Sequence, residues 1–296
     1  MKNAIIAILI FFSCAINAQE KRALLIGIGN YPSEYGWNKI HGQNDVELIR
    51  QTLNKQGFCD ENISVLIDAE ATYSNIMAAF QSLLEISNKN DVIYLQFSGH
   101  GQRITDLDGD EVEDGFDEAW IPYDAPKRYK KGTYEGERHI TDDFLYEYLT
   151  KLRIKLGAAG KIIVIADACH SGSGSKGVVA VDEVYKRGAI ESFAIPRQLN
   201  TIKTTKEKEK EIEDWLYVAA CKDYQSNYEY KADNGDYYGI LSYVIYLSNN
   251  LLRDIEYNNA TEGWKMIMDE LIQKKNLRIQ TMEVEGMPSK CDFMLF

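Results

Sequence analysis

Basic residues are in deficit. Lys and Arg number 33 against 45 Asp and Glu, a formal net charge of -12. A surface of that sign repels polyphosphates and anionic lipid, so nucleic acid and anionic membranes are excluded as partners and basic ligands are favoured. Solubility alone also accounts for such a charge. Long apolar runs are missing outside the N-terminus. There, Lys2 precedes the apolar stretch Ala4–Ile16 and then Asn17-Ala18-Gln19. A charged start, a short apolar centre and a small residue at the end describe a secretory signal peptide, with cleavage expected after Ala18. The apolar centre is short for a bilayer span. The expectation is therefore a soluble, exported chain, periplasmic or secreted. Cys14 raises a lipoprotein alternative, which the bulky Phe12 disfavours.

Cysteine is scarce after the leader: Cys59, Cys169, Cys221 and Cys291 are far apart and show no disulfide framework. Cys59, Cys221 and Cys291 read as packed or free thiols, with pairing left open. Internal repeats are absent. Gly27 and Gly29 lack the third glycine of a dinucleotide-binding turn, and Asn30-Tyr31-Pro32 cannot open its helix, which excludes that reading. What remains, at 296 residues and 45% hydrophobic content, suffices for one large domain.

Strands and helices alternate. Apolar runs at Arg22–Ile28, Ile63–Asp68, Asp91–Phe97, Ile162–Ala166 and Trp215–Ala220 predict strands, and Cys291–Phe296 predicts a last one. Helical spacing recurs over Asn44–Lys55, after Thr72 or Ser74, after Asp142-Asp143, over Tyr237–Leu252 and after Thr261. This alternation predicts an α/β fold around a mainly parallel sheet. Gly174–Asp214 is largely polar and reads as a mobile loop or linker.

Two strand ends carry chemistry. Ile162–Ala166 runs into Asp167-Ala168-Cys169-His170-Ser171-Gly172, and Asp91–Phe97 runs into Ser98-Gly99-His100-Gly101. Parallel strands would deliver His100 and Cys169 to one carboxyl edge, where open α/β sheets place their sites. A thiol is a weak nucleophile until deprotonated, and an imidazole is the usual means. Backbone N–H groups near Gly101 and Cys169 would form an oxyanion hole. His170, next to the nucleophile on the same turn, is expected to point away. A crowded loop adds Asp106, Asp108, Asp110, Asp114 and Asp117. Their spacing imitates a calcium loop, but Gly109 stands one place early and Asp117 replaces the final Glu. A solvated acidic loop fits the same residues.

The two strand-end motifs together resemble the caspase-like cysteine peptidases, and within them the metacaspases. The resemblance runs from about Lys21 to the C-terminus. It implies a caspase-like three-layer sandwich with a six-stranded, mainly parallel sheet flanked by helices. It also implies one peptidase domain over residues 19–296, behind a signal peptide at 1–18. That domain would divide into a large segment to about 174, a linker to about 213 and a small segment from about 214.

The activity so implied is cleavage of protein or peptide substrates after Arg or Lys by a Cys169–His100 dyad. No cofactor is needed for the chemistry, calcium stimulates, and the protein is a monomer. The acidic pocket would comprise Asp45, Ser98 and Asp167, with Glu229 standing where the family has Asp. Calcium ligands would be Asp117, Asp142 and Asp143, although Lys176 falls where a further family ligand lies. Self-cleavage is implied in the linker, with Lys186, Arg187, Arg197 and Lys203 as candidate sites. Two alternatives stay open: a clostripain-like or other cysteine hydrolase, and a non-catalytic caspase-like binding module.

Overall fold

A computed structural model describes residues 19–111, 114–169, 185–196, 214–251 and 260–286. The signal peptide, His170, Lys176, Arg197, Lys203 and the expected strand Cys291–Phe296 lie outside the described residues.

In chain order the elements are β1 (Lys21–Gly27), α1 (Gly42–Lys55), β2 (Ile63–Ile67), α2 (Tyr73–Ile86), β3 (Val92–Ser98), β4 (Gly101–Thr105), β5 (Phe116–Trp120), β6 (Ile140–Thr141), α3 (Asp142–Leu156), β7 (Lys161–Asp167), β8 (Leu216–Ala219), β9 (Glu229–Lys231), β10 (Tyr237–Gly239), α4 (Ile240–Leu251), α5 (Ala260–Lys274) and β11 (Glu283–Gly286). Six strands form the central sheet in the order β11-β8-β7-β3-β1-β2. Five run parallel, and β11 is antiparallel to β8. The sixth strand is thus the short polar Glu283–Gly286. No periodicity marks so short a run, and its pairing with β8 is what makes it a strand.

Alternation along the strands builds two cores. Leu24, Ile26, Ile93, Leu95, Ile162 and Val164 face α2 and α3, where Phe80, Leu83, Leu149 and Leu152 meet them. Ala23, Leu25, Tyr94, Ile163 and Ile165 face the opposite layer, with Val46, Ile49, Val244, Ile245 and Trp264 from α1, α4 and α5. This is the three-layer α/β sandwich expected. Strands β3 and β7 are buried throughout, apart from the first residue of β7. Each fully buried Leu or Ile contributes roughly 1.5–3 kcal/mol, so Ile163, wholly buried mid-strand, is intolerant of a charge.

Three local expectations change. Thr141, rather than Asp142 or Asp143, caps α3: its hydroxyl accepts from Phe144 N–H, which leaves both aspartates in the first turn. The expected helix Tyr237–Leu252 opens with β10 and becomes helical only at Ile240, because Tyr237–Gly239 pairs with β9. Thr261 lies inside the first turn of α5 rather than before it. A small antiparallel sheet, β4-β5-β6, was not legible as strands. It follows His100 directly and carries the acidic loop at its far turn.

Candidate active site

Strands β3 and β7 are parallel neighbours in register, with Ser98 opposite Asp167. His100 and Cys169 therefore leave the sheet two residues beyond the same level, at its carboxyl edge.

His100 is wholly buried and held on three sides. Its ring stacks on Trp37 at 4.8 Å and 24° and lies 5.0 Å from Tyr31. Its backbone N–H donates to the Tyr31 hydroxyl at 3.0 Å. Ring Nε2 lies 2.8 Å from the Asn38 carbonyl oxygen, which can only accept. The ring hydrogen therefore sits on Nε2, and Nδ1 keeps a lone pair. Nδ1 has no hydrogen-bond partner among the described residues. Burial pushes the imidazole pKa down to about 4, so it is neutral at neutral pH.

Cys169 is 1% exposed. Its thiol donates to the Gln225 carbonyl at 2.9 Å. Cys221 lies against it, with its own thiol 3.6 Å from the same carbonyl. The hydrogen bond to Cys169 and burial push the Cys221 thiol far above its ordinary value, so Cys221 stays protonated. No disulfide joins Cys59, Cys169 and Cys221, of which Cys59 is exposed.

What covers the sulfur is the chain itself. Residues 185–196, expected to be part of a mobile linker, are docked across the site. The Cys169 N–H donates to the Arg187 carbonyl at 2.8 Å, as an oxyanion donor would. Gly188 follows so closely that a Cβ there would come within 2.3 Å of the Cys169 carbonyl oxygen. Ala189 N–H donates to the Gly101 carbonyl, and Phe193 N–H donates to that of Arg103. Gly101 thus meets the segment through its carbonyl, while Cys169 supplies the N–H to Arg187.

The Arg187 side chain is fully buried. Its Nη1 lies 2.5 Å from Asp45 Oδ2 and 3.2 Å from Asp167 Oδ1, and its Nε lies 3.0 Å from Glu229 Oε1. Three of the four residues expected to form a basic-residue pocket therefore surround one guanidinium. The fourth, Ser98, is buried beside them, but its hydroxyl accepts from Gln96 instead.

The three carboxylates are held from behind by further contacts. Asp45 accepts from Gly239 N–H. Asp167 accepts from the N–H and hydroxyl of Ser242 and from the Asn227 amide. Gly239 and Ser242 belong to the entry of α4, where exposed N–H groups favour carboxylates. Gly239 is also the pocket wall: a Cβ would fall 2.2 Å from Asp167 Oδ2 and 2.4 Å from Arg187 Nη1. Glu229 is held by His41, through its N–H at 2.6 Å and Nδ1 at 2.7 Å.

The charges follow from these contacts. Burial opposes ionisation of Glu229, yet Arg187 and His41 hold its pKa below the ordinary glutamate value. Burial likewise opposes the Arg187 charge, and Asp45, Asp167 and Glu229 together hold it firmly on. Burial raises Asp45, with Arg187 working against that rise.

The acidic loop stands at the other end of β4 and β5. Carboxylate oxygens of Asp106, Asp110 and Asp117 lie within 4.8 Å of one another, as do those of Asp108, Asp110 and Asp143. Burial first, then repulsion from Asp142, Asp143, Asp106 and Asp108, raises the Asp117 pKa to about 8. A hydrogen bond to Asp110, burial and Asp143 raise Asp108 to about 6. Oxygen-only donors at this density fit a hard cation such as calcium. Of the expected ligands, Asp117 and Asp143 are therefore each drawn into a cluster, with Asp142 near enough to repel Asp117.

Asn227, Gly239, Ser242, His41, Gln225 and the Tyr31–Trp37 cradle were missed in the sequence. All act through contacts far apart along the chain. The one available signal was Arg187, already a candidate cleavage position.

A family model described as metacaspase, peptidase C14 domain, matches residues 21–176. Among curated proteins, the chain is 34% identical over 172 residues to metacaspase III c of Phaeodactylum tricornutum, covering 56% of this chain and 46% of that protein. It is 33% identical over 183 residues to metacaspase-1 of Eremothecium gossypii, covering 56% and 37%. Metacaspase-1B of Aspergillus fumigatus is 36% identical over 162 residues, covering 52% and 36%. The match thus spans less than half the length of each of these relatives. A Geobacter sulfurreducens protein of known crystal structure superposes with a TM-score of 0.58 at 22% identity, covering 91% of this chain and 94% of that one. That likeness shows the fold. With the family model matching more than half its length, the chain belongs to the metacaspase family.

Proposed function

We propose that this chain is an exported cysteine endopeptidase that cleaves after arginine, and after lysine less well, and that its first substrate is its own Arg187–Gly188 bond. The carrying observation is one residue held at both ends. The Arg187 guanidinium sits among Asp45, Asp167 and Glu229, while its carbonyl accepts from Cys169 N–H. The first contact set is a basic-residue pocket, and the second places the peptide bond at the nucleophile. The exported location rests on the N-terminal signal pattern alone.

The steps follow from the groups present. His100 Nδ1, the nitrogen with the lone pair, takes the Cys169 proton. The sulfur attacks the Arg187 carbonyl carbon, and Cys169 N–H receives the oxyanion. The imidazolium returns its proton to the Gly188 nitrogen, which leaves as an amine, and Arg187 remains as a thioester on Cys169. Water then attacks the thioester, giving up a proton to His100. An Arg187 carboxylate forms and the thiol is restored.

Asp106, Asp108, Asp110, Asp117 and Asp143 would hold a calcium ion. The ion would neutralise their mutual repulsion and take no part in bond cleavage. Asp106, Asp108 and Asp110 lie on the turn that ends β4, along which residues 189–195 are docked. Thr105 N–H donates to the Phe193 carbonyl there. That continuity supports calcium as a trigger of self-processing.

The test is a time course of the purified full chain with calcium or with chelator, followed by N-terminal sequencing of the fragments. A new terminus at Gly188 that forms with calcium and is absent in Cys169→Ala is expected. An intact chain under all conditions that also fails to cleave arginyl peptides would overturn the reading.

A further inference from the structure

The docked segment touches the enzyme beyond Arg187, and that contact has chemistry of its own. Arg187 N–H donates to the Asn227 carbonyl at 3.0 Å, and Glu229 N–H donates to the Tyr185 carbonyl at 3.1 Å. Lys186 bridges antiparallel to Tyr228 between them. Residues 185–187 thus add a strand to the segment that leads into β9, a common mode of peptide recognition. In an extended strand successive side chains point to opposite faces. Tyr185 and Arg187 therefore enter the enzyme on one side, with Lys186 on the other.

On that side a second recess adjoins the acidic pocket. The Tyr185 ring meets His41 edge-on, at 4.5 Å between centroids and 89°, and meets Tyr237 at 4.8 Å and 74°. His41 and Tyr237 are themselves stacked, at 5.0 Å and 19°. Both distances to Tyr185 lie in the range of favourable aromatic pairs, and edge-to-face is a preferred arrangement. The walls are held from behind. His41 is tied to Glu229 by two hydrogen bonds, the Tyr237 carbonyl accepts from Asn44, and Lys231 lies over the Tyr237 ring. The recess is therefore anchored to the same carboxylate that receives the arginine Nε. All three rings are half-buried, so the recess opens to solvent and a substrate can reach it.

We propose that His41 and Tyr237 form a second specificity subsite that takes an aromatic side chain two residues before the cleaved arginine. The enzyme then prefers the pattern aromatic-any-Arg, which its own Tyr185-Lys186-Arg187 satisfies. The proposal rests on the reading of Arg187 as the occupant of the specificity pocket. A leucine would bury apolar surface there but would lack the edge-to-face pairing with two rings.

The test uses calcium-treated full chain and three fluorogenic peptides, Gly-Tyr-Lys-Arg, Gly-Leu-Lys-Arg and Gly-Ala-Lys-Arg, each ending in aminomethylcoumarin. The tyrosyl peptide should exceed the alanyl peptide in kcat/KM by about tenfold, with leucine between. In Tyr237→Leu the tyrosine-to-alanine ratio should fall to about two. Equal rates for the tyrosyl and alanyl peptides in the unaltered enzyme would overturn the subsite and leave arginine specificity standing. Equal rates for tyrosine and leucine would reduce it to a plain apolar recess and overturn the aromatic assignment. Failure to cleave any of the three would overturn the arginine reading and the subsite with it.

Discussion

The molecule holds two groups of crowded carboxylates, and they differ in one respect. Asp45, Asp167 and Glu229 enclose a cation that the chain supplies, Arg187. Asp106, Asp108, Asp110, Asp117 and Asp143 crowd against one another. The consequence appears in acidity: Glu229 is held below its ordinary pKa, while Asp117 is raised to about 8 and Asp108 to about 6. Like charges that cannot separate must find a counter-ion or take up protons. One group has found its counter-ion in the polypeptide, and under the proposed calcium reading the other takes one from solution.

Removing the internal cation is the strongest way to break this comparison. Arg187→Gln should abolish cleavage at Gly188, detected as loss of the fragment pair on a gel. It should also destabilise the unprocessed chain by about 3–5 kcal/mol, the scale for a buried charge group deprived of its partner. Thermal unfolding reads this directly, and an unchanged midpoint would show that the three carboxylates had simply been protonated at no cost. Arg187→Lys should keep slow cleavage, since a lysine supplies the charge but no group at the Nε position facing Glu229. Gly239→Ala should lower kcat/KM for arginyl peptides by about 100-fold, because the added Cβ would fall within 2.4 Å of Nη1. A variant cleaving arginyl peptides normally would show that substrates do not enter as Arg187 does.

The second group is probed through its protons. Asp117, with a pKa near 8, is protonated below that pH, so a cation must displace the proton. Calcium affinity should therefore rise with pH, up to about tenfold per unit between pH 6 and 8, and level off above. Calorimetry in buffers of different ionisation enthalpy should register proton release on binding. Asp117→Asn should weaken binding by about tenfold and flatten this pH dependence. A flat profile in the unaltered chain would remove Asp117 from the ligand set.

Legibility in the sequence divides along similar lines. The parallel core was readable because β1, β3 and β7 are continuous apolar runs, and a strand buried on both faces leaves no other composition. The delivery of Cys169 and His100 to one edge of the sheet was readable because each follows such a run. The acidic pocket was readable only through family resemblance: Asp45, Asp167 and Glu229 lie on three separate elements, and their convergence is a product of the fold. Phe116–Trp120 reads as strand only once paired with β4, since its acidic residues break any apolar alternation. Tyr185–Pro196 was hardest. Its charges and Pro196 read as linker, and docking depends on backbone bonds to Gly101, Arg103, Thr105, Asn227 and Glu229 that sequence cannot display. Arg187 was visible as a candidate cleavage position but not as the counter-ion of Asp45, Asp167 and Glu229.

The smallest expected effects fall at the first turn of α3, where the two explanations of Asp142 and Asp143 part. Negative side chains near a helix N-terminus stabilise it by about 0.3–1 kcal/mol. Close beside other carboxylates, the same charges oppose folding unless a cation is present. Thr141, whose hydroxyl accepts from Phe144 N–H, caps the helix without belonging to the acidic group. Thr141→Ala should therefore lower stability by about 1 kcal/mol, equally with calcium and with chelator. Asp143→Asn should behave in the opposite manner: in chelator the relieved repulsion offsets the lost helix-end interaction, so the unfolding midpoint stays level or rises. In calcium the variant should gain less from the ion than the unaltered chain does. If Asp143→Asn instead lowers the midpoint in chelator by as much as Thr141→Ala, its charge serves the helix, and the cation site contracts to Asp106, Asp110 and Asp117.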